Sequence, residues 1–479
     1  MKKLIYSMLT LAMVALVSCK DSDSDNTEEN ETEESISDET LEANYFVYSI
    51  MSSYYYWNKE MFNDTVKYSD PKIDYRTQTD TEEYFYNILS DKDRFSFISD
   101  DANETENELS GISTTMGWDI ILTYIDDDKH IGAIINLVYP DSPAKEGGIR
   151  RGDVVYKVDG EYMTESNYSS LINKTSATYS VLRYDASAGE YTKIDDVALT
   201  AIELTENPVY NYTTFEKDGN NIGYLMYTSY IEDFDEDLDV AFQYFKENNV
   251  NKLILDLRYN TGGAMTAFQH LCSLIAPEAD VTSGKEILYY KYNEIMSSIE
   301  AYSRKNNNVT FDKTVSNNLN LSDIVIITGR STYSASEATI MALKPYMNVT
   351  LIGNTTGGKN STMFVMTPDL FTETNARGVS TRVFSKSIDN WLIAPIVAEY
   401  YNANDQTFDP TEGISPDYVI NEYQNSDMGE IGSDDEPLTA AAIEYITTGN
   451  VTTKKDAKLQ EVEILEHKGL GIKGAIMNR

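Results

Sequence analysis

Three times between residues 253 and 359, a short aliphatic and β-branched run stops at a turn built for close backbone approach. The first is Leu253-Ile254-Leu255-Asp256-Leu257-Arg258-Tyr259-Asn260-Thr261-Gly262-Gly263. The second is Asp323-Ile324-Val325-Ile326-Ile327-Thr328, followed by Gly329-Arg330-Ser331-Thr332-Tyr333-Ser334-Ala335-Ser336-Glu337. The third is residues 349–353, followed by Thr355-Thr356-Gly357-Gly358-Lys359. Runs of this length, apolar without alternation, are the mark of strands buried on both faces of a parallel sheet. Helical composition returns after Gly263 and over 337–347, so the pattern predicts an α/β domain with its turns at one end of neighbouring strands.

Those turns carry reactive groups. Ser334 and Lys359 stand 25 residues apart, and a serine hydroxyl becomes a useful nucleophile once a neighbouring base takes its proton. Lysine serves as that base only as the free amine. Keeping it so near neutrality takes roughly 4 to 5 kcal/mol of differential stabilisation, which burial supplies by disfavouring the ammonium. The net charge of −40 pushes the other way, so local burial has to dominate. Backbone N–H groups at a helix start are unpaired, which makes the Ala335 amide a candidate oxyanion donor. Gly262 or Gly263 is the candidate for the second donor, each such donor being worth roughly 3 kcal/mol in a transition state.

These segments, in this order, resemble the carboxy-terminal processing (tail-specific) serine peptidases of the S41 type. The resemblance implies a crotonase-like/ClpP-like core in which Ser334 attacks, Lys359 is the general base, and Ala335 with the Gly262/Gly263 turn forms the oxyanion hole. No cofactor and no metal are expected. Two positions depart from the family pattern. Met363 stands where a glutamine often orients the lysine, and a thioether is a weak acceptor; Ser361, Thr362 or Glu337 would have to take over, or activity is reduced. Thr261 replaces a common proline, which mainly stiffens the turn.

Other chemistries fit poorly. The three histidines, His130, His270 and His467, show no metal-ligand spacing. His270 is expected on a helix face and His130 in a polar turn after Asp126-Asp127-Asp128. Asp plus Glu number 78 against 38 Lys plus Arg, with neither a phosphate loop nor a basic patch, which argues against nucleic-acid partners.

Lys2-Lys3, an apolar stretch over 4–17 and Leu16-Val17-Ser18-Cys19 read as a signal peptide (1–18) with a lipoprotein cleavage box. By resemblance to bacterial lipoproteins, Cys19 carries the lipid and the chain resides in the cell envelope, at the outer membrane, on its periplasmic or surface face. Residues 19–39 are acidic and read as a disordered tether, similar to the surface-export signal of some Bacteroidetes lipoproteins. Cys272, the other cysteine, has no disulfide partner once Cys19 is acylated, and is expected to pack in the helix after the glycine pair.

Three modules follow. Residues 40–102 read as a small helical cap, with Leu41, Tyr45, Tyr48 and Met51 near helical spacing. Residues 103–206 resemble a PDZ domain through Met116-Gly117-Trp118-Asp119-Ile120, Ser142-Pro143-Ala144 with Gly147-Gly148-Ile149, and the run Gly152-Asp153-Val154-Val155-Tyr156-Lys157-Val158-Asp159-Gly160. PDZ domains bind a peptide as an added strand, and the resemblance places Gly117 and Trp118 nearest the peptide carboxylate. Residues 207–449 form the catalytic module, and 450–479 a charged extension. The expectation is a lipid-anchored serine endopeptidase with a Ser-Lys dyad, selecting extended or carboxy-terminal segments of a polypeptide substrate. The rival is a non-catalytic polypeptide- or ligand-binding lipoprotein on the same fold, motivated by Met363. Oligomeric state is not legible.

Overall fold

The computed structural model describes residues 36–374, 380–452 and 464–468; the expected signal peptide, Cys19 and most of the acidic tether lie outside them. The described chain divides into two compact units. One takes in the chain up to Asn103 together with Tyr292–Ser303 and Met363–Val397, and the other Glu104–Lys291, Arg304–Thr362 and the chain from Ala398.

The first unit is organised by helix α1, Asp38–Tyr54. Ser37 caps it, its hydroxyl accepting the Thr40 N–H at 3.0 Å, and Asp38 and Glu39 occupy the first turn. Carboxylates there meet the positive end of the helix dipole, which is why the last two residues assigned to the tether are helical. The buried stripe runs through Ala43, Phe46, Val47, Ile50, Met51 and Tyr54, whereas Leu41 and Tyr45 are 38% and 39% exposed. Of the four residues noted at helical spacing, Met51 lies in this stripe and Leu41 and Tyr45 lie outside it; the buried side also takes in Asn44, whose Nδ2 donates to the Tyr75 and Gln78 carbonyls at 3.1 and 2.8 Å. Phe46 packs edge-on against Phe371 and Phe384, at 6.1 and 5.1 Å between ring centroids. Leu392–Ala394 pairs antiparallel with Phe97–Ser99.

The second unit begins with a β domain. Strands β1 (Trp118–Tyr124), β2 (Ile131–Val138), β3 (Val154–Val158) and β4 (Ser176–Asp185) pair in that order, all antiparallel. Their inward side chains, among them Ile120, Leu122, Ile135, Val155 and Val181, form one core with Trp118 and Tyr179. The Trp118 ring stands edge-on to Tyr179 at 5.0 Å and is 7% exposed, so it serves the core. Gly117 (φ +80°) precedes it, and a methyl added there would fall 2.0 Å from Ser142 Cβ.

Beyond it lies a sheet of six strands: β5 (Val209–Lys217), β6 (Asn220–Tyr227), β7 (Lys252–Asp256), β8 (Asp323–Thr328), β9 (Asn348–Gly353) and β10 (Tyr418–Val419). Spatial order equals chain order. The β5–β6 pair is antiparallel and every later pair parallel. Parallel neighbours need long crossovers, supplied by α2 (Asp235–Glu247) between β6 and β7, α3 (Met265–Ile275) between β7 and β8, and α4 (Ala335–Leu343) between β8 and β9. One sheet face, with Leu225, Leu255, Ile326 and Leu351, packs on Phe242 of α2, Phe268 and Leu271 of α3, and Ile340 and Leu343 of α4. The alternate residues Tyr224, Ile254, Val325, Ile327 and Ile352 face Leu438 and Ala442 of α5 (Pro437–Thr448), together with Leu137 and Tyr139 of the β domain. Both faces are covered, which accounts for the unalternating apolar runs.

Cys272 lies fully buried in α3, where burial pushes its thiol far above the ordinary range. His270 Nε2 lies 3.2 Å from Asp239, and His130 Nδ1 lies 2.7 Å from Asp126. Within the charged extension, Ile464–Lys468 forms strand β11, antiparallel to β1.

Candidate active site

Ser334 is the N-cap of α4, six residues past the end of β8, with φ 52° and ψ −113°. Positive φ is uncommon for a residue with a Cβ and costs on the order of 1 kcal/mol or more unless its surroundings impose it. Here they do. The Ser334 N–H donates to Glu337 Oε2 at 3.0 Å, Tyr333 N–H to the Asn260 carbonyl at 3.1 Å, and Ser336 Oγ to that same carbonyl at 3.0 Å. The turn after β8 is thus bound to the turn after β7, as the repeating strand-turn pattern predicts.

The glycine pair divides its tasks. Gly262 (φ +103°) lies against the Ser334–Ala335 peptide: a methyl there would fall 2.8 Å from Ser334 Cβ and 2.9 Å from the Ala335 nitrogen. Its N–H is already given to Asn260 Oδ1 at 2.8 Å. Gly263 (φ +139°) would drive a methyl to 2.3 Å from the Tyr230 carbonyl oxygen. Among the described residues, no hydrogen bond takes up the N–H of Gly263 or that of Ala335. Of the two glycines considered from sequence, Gly263 is the one with an amide to offer, beside a helix N-terminus. Gly262→Ala is accordingly expected to lower kcat/KM by at least about a hundredfold, the scale of losing one oxyanion donor, because the methyl must displace Ser334 and Ala335. Turnover within twofold of the parent would refute this close-approach argument.

Lys359 is 4% exposed. One carboxylate fixes its segment: Glu337, on the first turn of α4 and fully buried, accepts from Lys359 N–H at 2.7 Å, Gly358 N–H at 2.9 Å and Thr356 Oγ1 at 2.5 Å, besides Ser334 N–H. The amides of Ser334 and Lys359 therefore converge on the same oxygen, Oε2. Burial pushes the Glu337 carboxyl above its usual range, and the four donors oppose that rise. Of the groups considered in place of the missing glutamine, Glu337 holds the lysine segment through its backbone. Met363 stands at the end of the short strand Ser361–Met363.

Tyr400 adds a second tie that the sequence did not announce. Its hydroxyl lies 3.0 Å from the Lys359 carbonyl and 3.2 Å from the Ser334 carbonyl, and burial raises its pKa well above the usual range. It therefore stays a donor.

Behind the glycine turn sits a buried charge network that sequence reasoning also missed. Arg258, with no exposed surface on its side chain, pairs with Asp256 (2.7 Å), Glu436 (2.7 Å) and Glu422 (3.0 Å). Arg151 of the β domain reaches Glu422 at 2.5 Å and the Tyr259 hydroxyl at 2.6 Å. Burial alone would raise the Glu436 carboxyl, yet the charge and hydrogen bonds of Arg258, aided by Arg151, hold it down at about 2.

This arrangement combines a half-buried serine on a strained strand-to-helix turn, a buried lysine tied to the same carboxylate, and two unengaged amides. It has the parts of a nucleophile, a base and an oxyanion hole. Residues 221–420 match the model of peptidase family S41. The domain belongs to peptidase family S41. Residues 134–178 match a PDZ domain model, so the S41 domain is preceded by a PDZ domain as its sequence suggested. The carboxy-terminal processing protease CtpA of Bacillus subtilis is 28% identical over 224 residues, 46% of this chain and 43% of that protein. A carboxyl-terminal-processing protease of Picosynechococcus is 24% identical over 53% of this chain and 55% of its own length. The chain thus spans about half the length of these curated relatives. A solved protein of Bacteroides fragilis, classed with the S41 proteases, superposes with a TM-score of 0.67 at 25% identity, covering 85% of this chain and 97% of that one.

Proposed function

We propose that the chain is a serine endopeptidase in which Ser334 attacks the scissile carbonyl and Lys359 takes its proton. The observation that carries this reading is the shared grip of Glu337 Oε2 on the Ser334 and Lys359 amides, which fixes the two loops on one anchor. Lysine burial adds support, since a dry setting favours free amine over ammonium. Ala335 and Gly263 N–H groups receive the oxyanion. As the scissile C–N bond breaks, Lys359 passes that proton to the leaving amine, and water then hydrolyses the acyl-enzyme on Ser334 to a carboxylate and the free serine. The names of the relatives suggest substrates cut near their carboxy termini, and the PDZ domain is the module that would hold an extended polypeptide by strand addition on β1. Lipid attachment at Cys19 and residence at the outer membrane complete the proposal; both rest on the sequence of residues 1–19.

A biotinylated fluorophosphonate tests the nucleophile without knowledge of the substrate. Stoichiometric labelling that peptide mapping places on Ser334, and that is absent in Lys359→Ala, is expected. An unlabelled protein would favour the rival reading, a binding lipoprotein on the same fold.

A further inference from the structure

Strand β1 has two edges, and β2 takes one of them. The other is taken by β11: Lys468 pairs with Ile120, His467 with Ile121, Glu466 with Leu122 and Ile464 with Thr123, with a bulge at Leu465. Leu465 is half-buried and packs against the PDZ core. The strands are antiparallel, so β11 runs toward the start of β1, where Gly117 opens the turn. Strand addition to an open sheet edge, with apolar side chains seated alongside, is how PDZ domains take extended peptides. This edge is already filled by the protein's own chain.

We propose that residues 464–468 are a built-in occupant of the PDZ peptide edge, which any polypeptide docking on β1 must first displace. The inference rests on β1 being the peptide edge, as in the function proposed above. Its energetic logic is that of a tethered competitor: a segment on the same chain presents itself at an effective concentration of the order of millimolar. An incoming peptide of similar sequence must outcompete it or arrive in great excess. Polypeptides that bind β1 more strongly, through a larger apolar side chain at the Leu465 position or through their carboxylate beside Gly117, are admitted preferentially. The segment then acts as an affinity threshold on the substrates reaching the PDZ domain.

The test uses the full chain carrying Ser334→Ala, so that nothing is cleaved, and a fluorescein-labelled peptide of residues 462–470 read by anisotropy. Two further variants release the occupant. Leu465→Asp removes its apolar contact, and the double change Glu466→Pro with His467→Pro removes a ladder donor, since consecutive residues of a strand turn their N–H groups to opposite edges. Both are expected to bind the peptide at least about tenfold more tightly than the parent. Hydrogen exchange at the amides of residues 119–124 should speed up in the same variants. Equal affinity in all three proteins, binding by none, or unchanged exchange would overturn the proposal. So would β1 protection that is lost on dilution, which would mean that the strand comes from a second copy. Peptide affinity is measured without hydrolysis and fluorophosphonate labelling does not involve β1, so failure of the occupant and failure of the peptidase reading give different results.

Discussion

Ser334→Ala is expected to reduce turnover of an unfolded polypeptide by roughly 10⁴-fold or more, with thermal unfolding little changed. The alanine keeps every backbone bond that holds the turn, namely the Ser334 N–H to Glu337, the Tyr333 N–H to Asn260 and the Tyr400 hydroxyl to the Ser334 carbonyl. Only the attacking oxygen is lost. Lys359→Ala should fall to the same level, and the double variant no lower, because two groups that act in one step do not add. Lys359→Arg separates a base from a mere positive charge: guanidinium does not deprotonate in proteins, so arginine should not rescue. The assay is release of new amino termini from a denatured substrate. Parent-like turnover in Ser334→Ala, or substantial turnover in Lys359→Arg, would remove the dyad from consideration.

The largest stability effect is expected at Arg258. Its guanidinium faces Asp256, Glu422 and Glu436, whose side chains are 0%, 6% and 0% exposed; once it is gone, Arg151 still reaches Glu422 and Glu436, while Asp256 loses its Arg258 partner. Breaking a buried pair by removing one partner costs about 3 to 5 kcal/mol, because the remaining charge has no compensation. Arg258→Ala should show that loss in urea unfolding at pH 7, and Arg258→Lys a smaller one, since a point charge cannot replace the fork. The pH dependence follows from Glu436. Its folded value of about 2 lies below the roughly 4.3 of a free glutamate, so its contribution is present above that unfolded value and is lost as pH falls toward 2. The gap between parent and Arg258→Ala should therefore narrow below about pH 4. A gap that is absent at pH 7, or that widens in acid, would show that the network does not stabilise the fold.

How much of this was legible depended on how far apart in the chain the partners lie. Strand β8 was legible to the residue because every position from Asp323 to Thr328 is apolar, β-branched or a strand end. Ser334 at a strand-to-helix turn followed from it. The helix begins at Ala335 rather than at 337, a shift explained by Glu337 reaching back to the Ser334 N–H. The pairing of Arg258 with Glu422 and Glu436 spans 164 and 178 residues, and Tyr400 meets Lys359 across 41; nothing local marks such partners. Strand β11 was hidden for a different reason. Five residues in a charged stretch show no alternation, and their strand state depends on the edge they join.

The first unit is assembled from three separated stretches, and its last, Met363–Val397, brings Phe371 and Phe384 to the buried face of α1. A ribosome working at 5 to 20 residues per second needs roughly 20 to 70 seconds to go from Phe46 to Val397. Throughout that interval α1 has no finished surface on which to rest its aromatic stripe, although the sheet-bearing unit is well advanced by then. The nascent chain thus stays sticky at α1 while its middle takes shape, and a holdase that grips aromatic-rich helices would find its client there.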